Sequence, residues 1–411
     1  MAEKFKAPRG TFDVLPDNAA QRERLLQAAR EIFGLAGYRM IVTPAFEDTA
    51  LFERGVGKST DIVRKEMFTF EDKGERSLTL RPEGTASICR AYIEHGMHKW
   101  PQPVKLFYAG PFFRHERPQA GRYRQFNQIG AEAIGSDSPL ADVEVITLIS
   151  DLIEELGVPG VELRLGSLGS LDARATYLEE LKAHLRSRGD ELSEDVRERI
   201  EINPLRAFDS DHEGTRTVMA EAPHLLDFLS DEDAEHFEEV KSLLGAASVE
   251  FTIDPTLVRG LDYYTRTIFS FVCDRLGAQS EIGGGGRYDG LIEQLGGPPT
   301  PAVGWAAGIE RILLALDEDV TSAGMDLFVV VPEPDLRTKA VALVSELRHL
   351  GLAVEMDLAG RSVKGQFKQA DRVGAAHALI LEPGATASLK NMETGDQQTV
   401  DPKDVARLIR P

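Results

Sequence analysis

Cysteine is nearly absent from this chain. Cys89 and Cys273 are its only two, and at that separation they offer neither a disulfide framework nor a CxxC zinc site. Each reads as a small buried thiol. Long apolar runs are missing too. None approaches the ~20 residues that a membrane-spanning helix needs, and the opening MAEKFKAPRG has no apolar stretch of signal-peptide type. These absences predict a soluble, cytoplasmic protein with no membrane partner. No internal repeat or low-complexity segment stands out.

Positive charge is also in short supply. Lys and Arg number 47 against 67 Asp and Glu, a formal net charge of −20. That balance argues against a general nucleic-acid coat protein. A local basic surface remains open, because phosphate contacts depend on where the charge sits. What the chain does have is 411 residues at 42% hydrophobic composition, enough for two or three domains with their own cores.

After PRGTFDVLP, the pattern predicts a helix from about Asp17, as its cap, to Ala36, with Gly37 as its stop. YRMIVTPAFE reads as a strand ending at Pro44. Residues 67–80 and 104–135 read as paired strands. A helix follows with Ser138 as cap, Pro139 first, Leu148, Leu152 and Leu156 on one face and Gly157 as stop. Residues 171–250 turn rich in Glu, Asp, Leu and Arg with helical spacing, which suggests an inserted helical domain. Strand-like sequence resumes at VEFTIDP and runs through TIFSFVCD and the glycines 283–286, and GWAAGIERILLAL is expected as a closing helix. DEDVTSAGMD reads as a linker. Beyond it, strand and helix alternate: LFVVV, a helix 335–350, LAVEMDL, a helix 362–373, AHALIL and a last helix near 402–409, together a small α/β domain.

One motif misleads. GVGKST at 55–60 suggests a phosphate-binding P-loop, but the glycine that pattern requires five residues earlier is Phe52. His95 and His98 stand at helical spacing with no third ligand near, and read as surface histidines. The chemistry-bearing groups are denser elsewhere. TLRPEGT, 79–85, carries Glu83 and Thr85. FFRHERPQAGRYRQF, 112–126, places Arg114, Arg117, Arg122 and Arg124 around a turn against Glu116 alone, a net +3 inside an acidic chain. The strand that continues it puts Phe126, Gln128, Gly130 and Glu132 on one face and Asn127, Ile129 and Ala131 on the other, so one face can bind while the other packs. LVRGLDYYT carries Arg259, Tyr263 and Tyr264, and GGGGRYDGL…GIERI ends in Arg311. One arginine is usually a solvated charge. Several beside a glycine run suit a planar hold on phosphate or carboxylate.

PRGTFDVLP, LRPEGTA, FFRHERPQAGRYRQFNQIGAE, LVRGLDYYT and GGGGRYDGL…GIER together resemble the signatures of histidyl-tRNA synthetases, a family of class II aminoacyl-tRNA synthetases, over nearly the whole length. LVRGLDYY is the most discriminating, Pro44 falls where the class II motif 1 proline stands, and GVGKSTDIVRKEMFTF resembles a family segment as well. The resemblance implies an α+β catalytic domain built on an antiparallel sheet (1–170 and 251–320), a helical insertion (171–250) and a C-terminal α/β anticodon-binding domain (325–411).

It further implies activation of histidine with ATP and Mg2+ to histidyl-adenylate, then transfer to the 3′ end of tRNA-His by a homodimer. By position, Arg114 and Arg259 would be catalytic, with Arg114, Arg122 and Arg311 on ATP. Glu83, Thr85, Gln128, Glu132, Arg259, Tyr263 and Tyr264 would hold histidine. Arg117 and Arg124, with Lys364, Lys368 and Arg372 on the basic face of RSVKGQFKQADR, would meet tRNA, while Val363, Phe367 and Ala370 face a core. No side-chain metal ligand set is identified. LEPGATASLKNMETG is shorter and more irregular than the family pattern suggests. The alternative is a catalytically inactive, synthetase-like regulatory subunit of ATP phosphoribosyltransferase, which would be expected to lack LVRGLDYY, the arginines and the C-terminal module. A class II synthetase for threonine, proline or glycine is a second alternative.

Overall fold

The computed structural model describes residues 4–57, 60–277, 280–316 and 324–410. Lys58 and Ser59 of the GVGKST stretch, and 317–323 of the expected linker, lie outside the described residues. The chain forms two compact units, Met1–Glu318 and Asp319–Pro411.

The first unit contributes strands β1 (Arg39–Met40), β2 (Phe46–Asp48), β3 (Phe68–Glu71), β4 (Ser77–Leu80), β5 (Val104–Phe113), β6 (Gln125–Ile134), β7 (Val161–Ser167), β8 (Thr252–Ile253), β9 (Thr265–Cys273), β10 (Glu281–Arg287) and β11 (Ala302–Gly308). Eight of them form one sheet in the order β1-β5-β6-β11-β10-β9-β7-β8, and β2-β4-β3 form a small second sheet. The six central strands are antiparallel, and only the short edge pairs β1/β5 and β7/β8 are parallel.

Alternation decides the layers. From β6, Ile129, Ala131 and Ala133 enter a core with Phe269 and Trp305 of the neighbouring strands. The helices Pro16–Leu35, Pro139–Leu156 and Asp231–Ala246 cover this face, supplying Phe33, Ile149, Leu152, Phe237 and Leu244. Burying each such side chain contributes about 1.5–3 kcal/mol. The opposite face carries Tyr108, Tyr264 and Tyr288 under the helices Thr85–Glu94 and Leu171–Ser187. It is the more polar side, and it holds the site.

Several local expectations meet the structure directly. Ser138 caps its helix by accepting from the Leu140 amide, Pro139 is its first residue, and Gly157 ends it at φ +70°. Others are corrected. Asp17 is not a cap. Pro16 starts the helix and holds Leu15 extended before it, leaving Asp17 in the first turn, where its charge complements the helix dipole. The strand through Pro44 is two short pieces, β1 and β2, with the proline between them, as befits a residue with no ladder donor. GWAAGIERILLAL is helical only from Ile309. Its first half belongs to β11, because the small residues of AVGWAAG fit between β6 and β10.

Arg287, fully buried at the end of β10, ties strand to helix. It donates to the carbonyls of Ser136 (2.8 Å) and Ser138 (3.1 Å) and pairs with Asp142, itself fully buried in the first turn of Pro139–Leu156, and with Asp289. Replacing Arg287 with Ala leaves Asp142 facing His236 at 3.6 Å in place of a permanent cation, and urea unfolding should show a loss of about 3–5 kcal/mol. A change below ~1 kcal/mol, the range of exposed pairs, would contradict this structural role.

The second unit pairs β12 (Leu327–Val330), β13 (Val354–Met356), β14 (His377–Leu381), β15 (Ala387–Asn391) and β16 (Gln397–Val400) in the order β13-β12-β14-β15-β16. The helices Arg337–His349, Val363–Arg372 and Val405–Ile409 belong to it. The irregular LEPGATASLKNMETG is in fact half of an antiparallel hairpin, β15 with β16. Its edge strand QQTV is too polar to announce itself, and Gly395 (φ +79°) makes the turn. On Val363–Arg372, Lys364, Lys368 and Arg372 are exposed and Ala370 is buried. Val363 is exposed rather than packed. Gln366 is buried in the face instead, its amide exchanging bonds with both backbone groups of Val331 at 2.8 and 2.9 Å.

Candidate active site

Strands β5, β6, β10 and β11 floor a cleft of about 190 Å³ in the first unit. Its lining includes Glu83, Thr85, Arg114, Arg122, Gln128, Arg259, Tyr263, Tyr264 and Arg311, so four arginines from three distant stretches of sequence converge on one cavity. Glu132 lies just beneath, fully buried. Arg117 and Arg124 are outside the lining. Arg117 is exposed, whereas Arg124 donates to the Glu116 carbonyl at 3.3 Å and its methylenes lie against Gly10. Lys364, Lys368 and Arg372 belong to the second unit.

One end of the cleft is cationic. Arg114 donates to the Pro82 carbonyl at 2.9 Å and stands over the Phe126 ring at 5.4 Å. Arg122 pairs with Glu116. Arg259 pairs with Glu281 and stands 5.7 Å over the Tyr264 ring. Arg311 donates to the Glu281 carbonyl at 2.6 Å. The helix Ile309–Leu316 that carries Arg311 is fixed by its neighbour Glu310, which accepts from the Asn127 backbone at 2.9 Å and side chain at 2.7 Å. Asn127 in turn accepts from Arg22. Asn127, placed by alternation on the packing face, thus serves as a buried polar anchor.

The other end is lined by carboxyl and hydroxyl groups. Glu83 takes the amides of Thr85 and Ala86, both at 2.8 Å, at the start of Thr85–Glu94, and burial still pushes its carboxyl above the usual range. Glu132 accepts from the Thr85 hydroxyl at 2.8 Å and the Tyr288 hydroxyl at 2.6 Å, and burial raises its pKa to about 8. A Cβ on Gly304 would lie 1.7 Å from Glu132 Oε2, so only glycine leaves the carboxyl its place. Gln128 Oε1, Tyr108 Oη and Arg259 Nε are buried without a hydrogen-bond partner. In a cleft, such atoms mark the contacts a polar ligand would complete.

The helical stretch after β7 braces this arrangement from outside. Arg174 donates to the Tyr264 carbonyl at 2.6 Å, Arg206 to the Gly260 carbonyl at 3.0 Å, and Asn203 to Asp262 at 3.1 Å. The loop that presents Arg259, Tyr263 and Tyr264 is therefore held by its backbone. Sequence reasoning missed Tyr288, Glu281, Tyr108 and Arg174. Tyr288 stood inside a quoted motif, and a tyrosine between two charged residues in a glycine-rich strand was the available signal. Arg174 sat in a helix whose contacts no local pattern reveals. Among the described residues no group of three or more His, Cys, Asp or Glu could hold a metal ion.

Comparisons with known proteins agree with this geometry. A model described as histidyl-tRNA synthetase matches residues 10–312, and one described as anticodon binding domain matches 326–410. The chain is 49% identical to a protein of Rhodococcus jostii named histidine--tRNA ligase, over 99% of this chain and 98% of that one. It is 46% identical to one of the same name from Rubrobacter xylanophilus, over 98% and 99%. A crystal structure described as apo S. aureus histidyl-tRNA synthetase superposes with a TM-score of 0.83 at 37% identity, covering 99% of this chain and all of that one. A Bacillus halodurans structure described as an ATP phosphoribosyltransferase regulatory subunit/histidyl-tRNA synthetase shares the fold, with a TM-score of 0.69, but only 23% of the sequence. The near-full-length relatives named histidine--tRNA ligase do not favour the regulatory-subunit alternative. With a family model matched over 10–312, an anticodon-binding module over 326–410 and relatives 46–49% identical over nearly the whole length, the chain belongs to the histidyl-tRNA synthetase family.

Proposed function

We propose that this enzyme activates histidine with ATP and transfers it to the 3′ end of tRNA-His. In the first step a carboxylate oxygen of histidine attacks the α-phosphorus in line, and the bond to pyrophosphate breaks. In the second a ribose hydroxyl of the terminal adenosine attacks the acyl carbon, releasing AMP and a proton. The convergence of Arg114, Arg259 and Arg311 carries this reading. Negative charge grows on the α-phosphoryl oxygens, and guanidinium groups already fixed in place stabilise it without reorganising.

Arg114 holds the α-phosphate, Arg311 the γ-phosphate, and Arg259 both the α-phosphate and the histidine carboxylate. Arg122 steadies the triphosphate. A neutral imidazole offers one donor and one acceptor, and Glu132 and Tyr264 meet them. Glu83, Thr85, Gln128 and Tyr263 hold the amino and carboxylate groups. Mg2+ would supply positive charge against the phosphates. It takes one or two carboxylates plus phosphate oxygens and keeps much of its water. Glu116 and Glu310, both in the lining, would be the carboxylates to hold a cation that arrives with the triphosphate.

Residues 1–170 with 251–320 form the catalytic domain, 171–250 the helical insertion and 325–411 the anticodon-binding domain. Arg117 and Arg124 face the tRNA acceptor end, and Lys364, Lys368 and Arg372 the backbone near the anticodon. A homodimer joins through the first long helix and the segment around Pro44. Met40, Val42 and Phe46 there are exposed at 46%, 77% and 49%, an apolar surface suited to a partner copy. No helix among the described residues is long and apolar enough to cross a membrane, in keeping with work in the cytoplasm.

ATP–pyrophosphate exchange tests the reading. Histidine should drive exchange at least ~10⁴-fold more efficiently than threonine, proline or glycine, because a wrong side chain leaves Glu132 and Tyr264 unpaired. Exchange driven by another of these amino acids would transfer the chain to that specificity.

A further inference from the structure

Glu281 is a carboxylate inside a cleft built for anions, and ordinary strand alternation would not have put it there. Opposite β10, Val272 pairs with Glu281 but Phe271 already pairs with Gly283, so Ile282 is the extra residue of a β-bulge. Without the bulge Glu281 would share a face with Gly283 and Gly285, whose missing side chains point at Ala307 and Trp305 in the core. With it, Ile282 turns inward, 1% exposed, and Glu281 joins Gly284 on the cleft side. A Cβ on Gly284 would stand 2.8 Å from both Arg259 Nη1 and Glu281 Oε1, so the ion pair lies directly over that glycine. Burial opposes the Glu281 charge, yet the Arg259 guanidinium outweighs it and holds the carboxyl below its ordinary range. Its side chain is two-fifths exposed at the mouth.

We propose that Glu281 is the resting counter-ion of Arg259, a positioning residue that holds the guanidinium in the ligand-free cleft and yields it to the α-phosphate of ATP. The proposal rests on the reading that the cleft takes ATP. Nucleotide binding then exchanges one anion for another at Arg259 rather than filling a vacant cation. The carboxylate left behind also stands near the incoming phosphates, so the charged part of ATP meets a competitor that its adenosine part does not.

Glu281→Gln keeps the shape and removes the charge. Calorimetric titration with ATP and, separately, with adenosine should show the ATP Kd falling about threefold to tenfold while the adenosine Kd stays put. The gain should reappear as a lower KM for ATP in the exchange assay. Glu281→Asp, which keeps the charge but falls a methylene short of Arg259, should show a smaller gain in the same direction, and a thermal melt reports whether either variant folds. An ATP Kd that is unchanged or weaker in folded Glu281→Gln, or an adenosine Kd that moves in parallel, overturns the counter-ion role. A wild-type chain that binds neither ligand overturns the ATP reading itself, a distinct failure.

Discussion

Arg259→Ala lowers the turnover of histidine-dependent ATP–pyrophosphate exchange by about 10²- to 10³-fold, the loss expected when a fixed donor to a developing oxyanion is removed. The ATP Kd should change by about tenfold or less, because Arg114, Arg122 and Arg311 still line the same cleft. The asymmetry follows from Arg259's place. It stands over Tyr264, between the cationic end and the end proposed to take the amino acid, where the attacking carboxylate and the α-phosphate would meet. Equal losses in turnover and ATP binding would reduce Arg259 to a binding residue.

Glu132→Ala should abolish the same exchange, with a loss of about 10³-fold or more carried by histidine rather than by ATP. Its carboxyl is buried at the bottom of the site between two hydroxyl donors, Thr85 and Tyr288. Near-normal exchange would reject the assignment. The same residue leaves a mark on stability. Its pKa is about 8 in the folded protein against an ordinary 4.5. Between those values the native state keeps a proton that the unfolded chain has released. Its contribution is therefore fully present below about pH 4.5 and is lost as pH rises through about 8. In urea unfolding of the ligand-free protein, the stability of wild type relative to Glu132→Gln should fall with pH across that window, by up to ~1.4 kcal/mol per unit. Two parallel curves would show that Glu132 is ionised throughout.

Much of this was legible in the residues. The helix Pro139–Leu156 announced both its ends through Ser138 and Gly157, because caps and stops are local chemistry. The cleft side of β6 followed from alternation, which set Gln128 and Glu132 apart from Ile129 and Ala131. The elements that misled were those whose state depends on partners distant in the chain. GWAAG reads as helix by its small apolar residues, yet it lies between β6 and β10 as a strand. QQTV has no hydrophobic signature, and it is a strand only because β15 offers it a ladder. Asn127 lay on the expected packing face, and its partners Arg22 and Glu310 come from two separate helices. Glu281 was illegible for a sharper reason: a single bulged residue reversed the side on which its carboxylate emerged.

Gly284 in the cleft and Gly304 beneath it shape this floor by having nothing to contribute: at each, a side chain would collide with Glu132 or with the Arg259–Glu281 pair. A surface shaped by omission cannot be fine-tuned by exchanging one residue for another. Any refinement of this base must therefore come from the neighbours of the two glycines rather than from the glycines themselves.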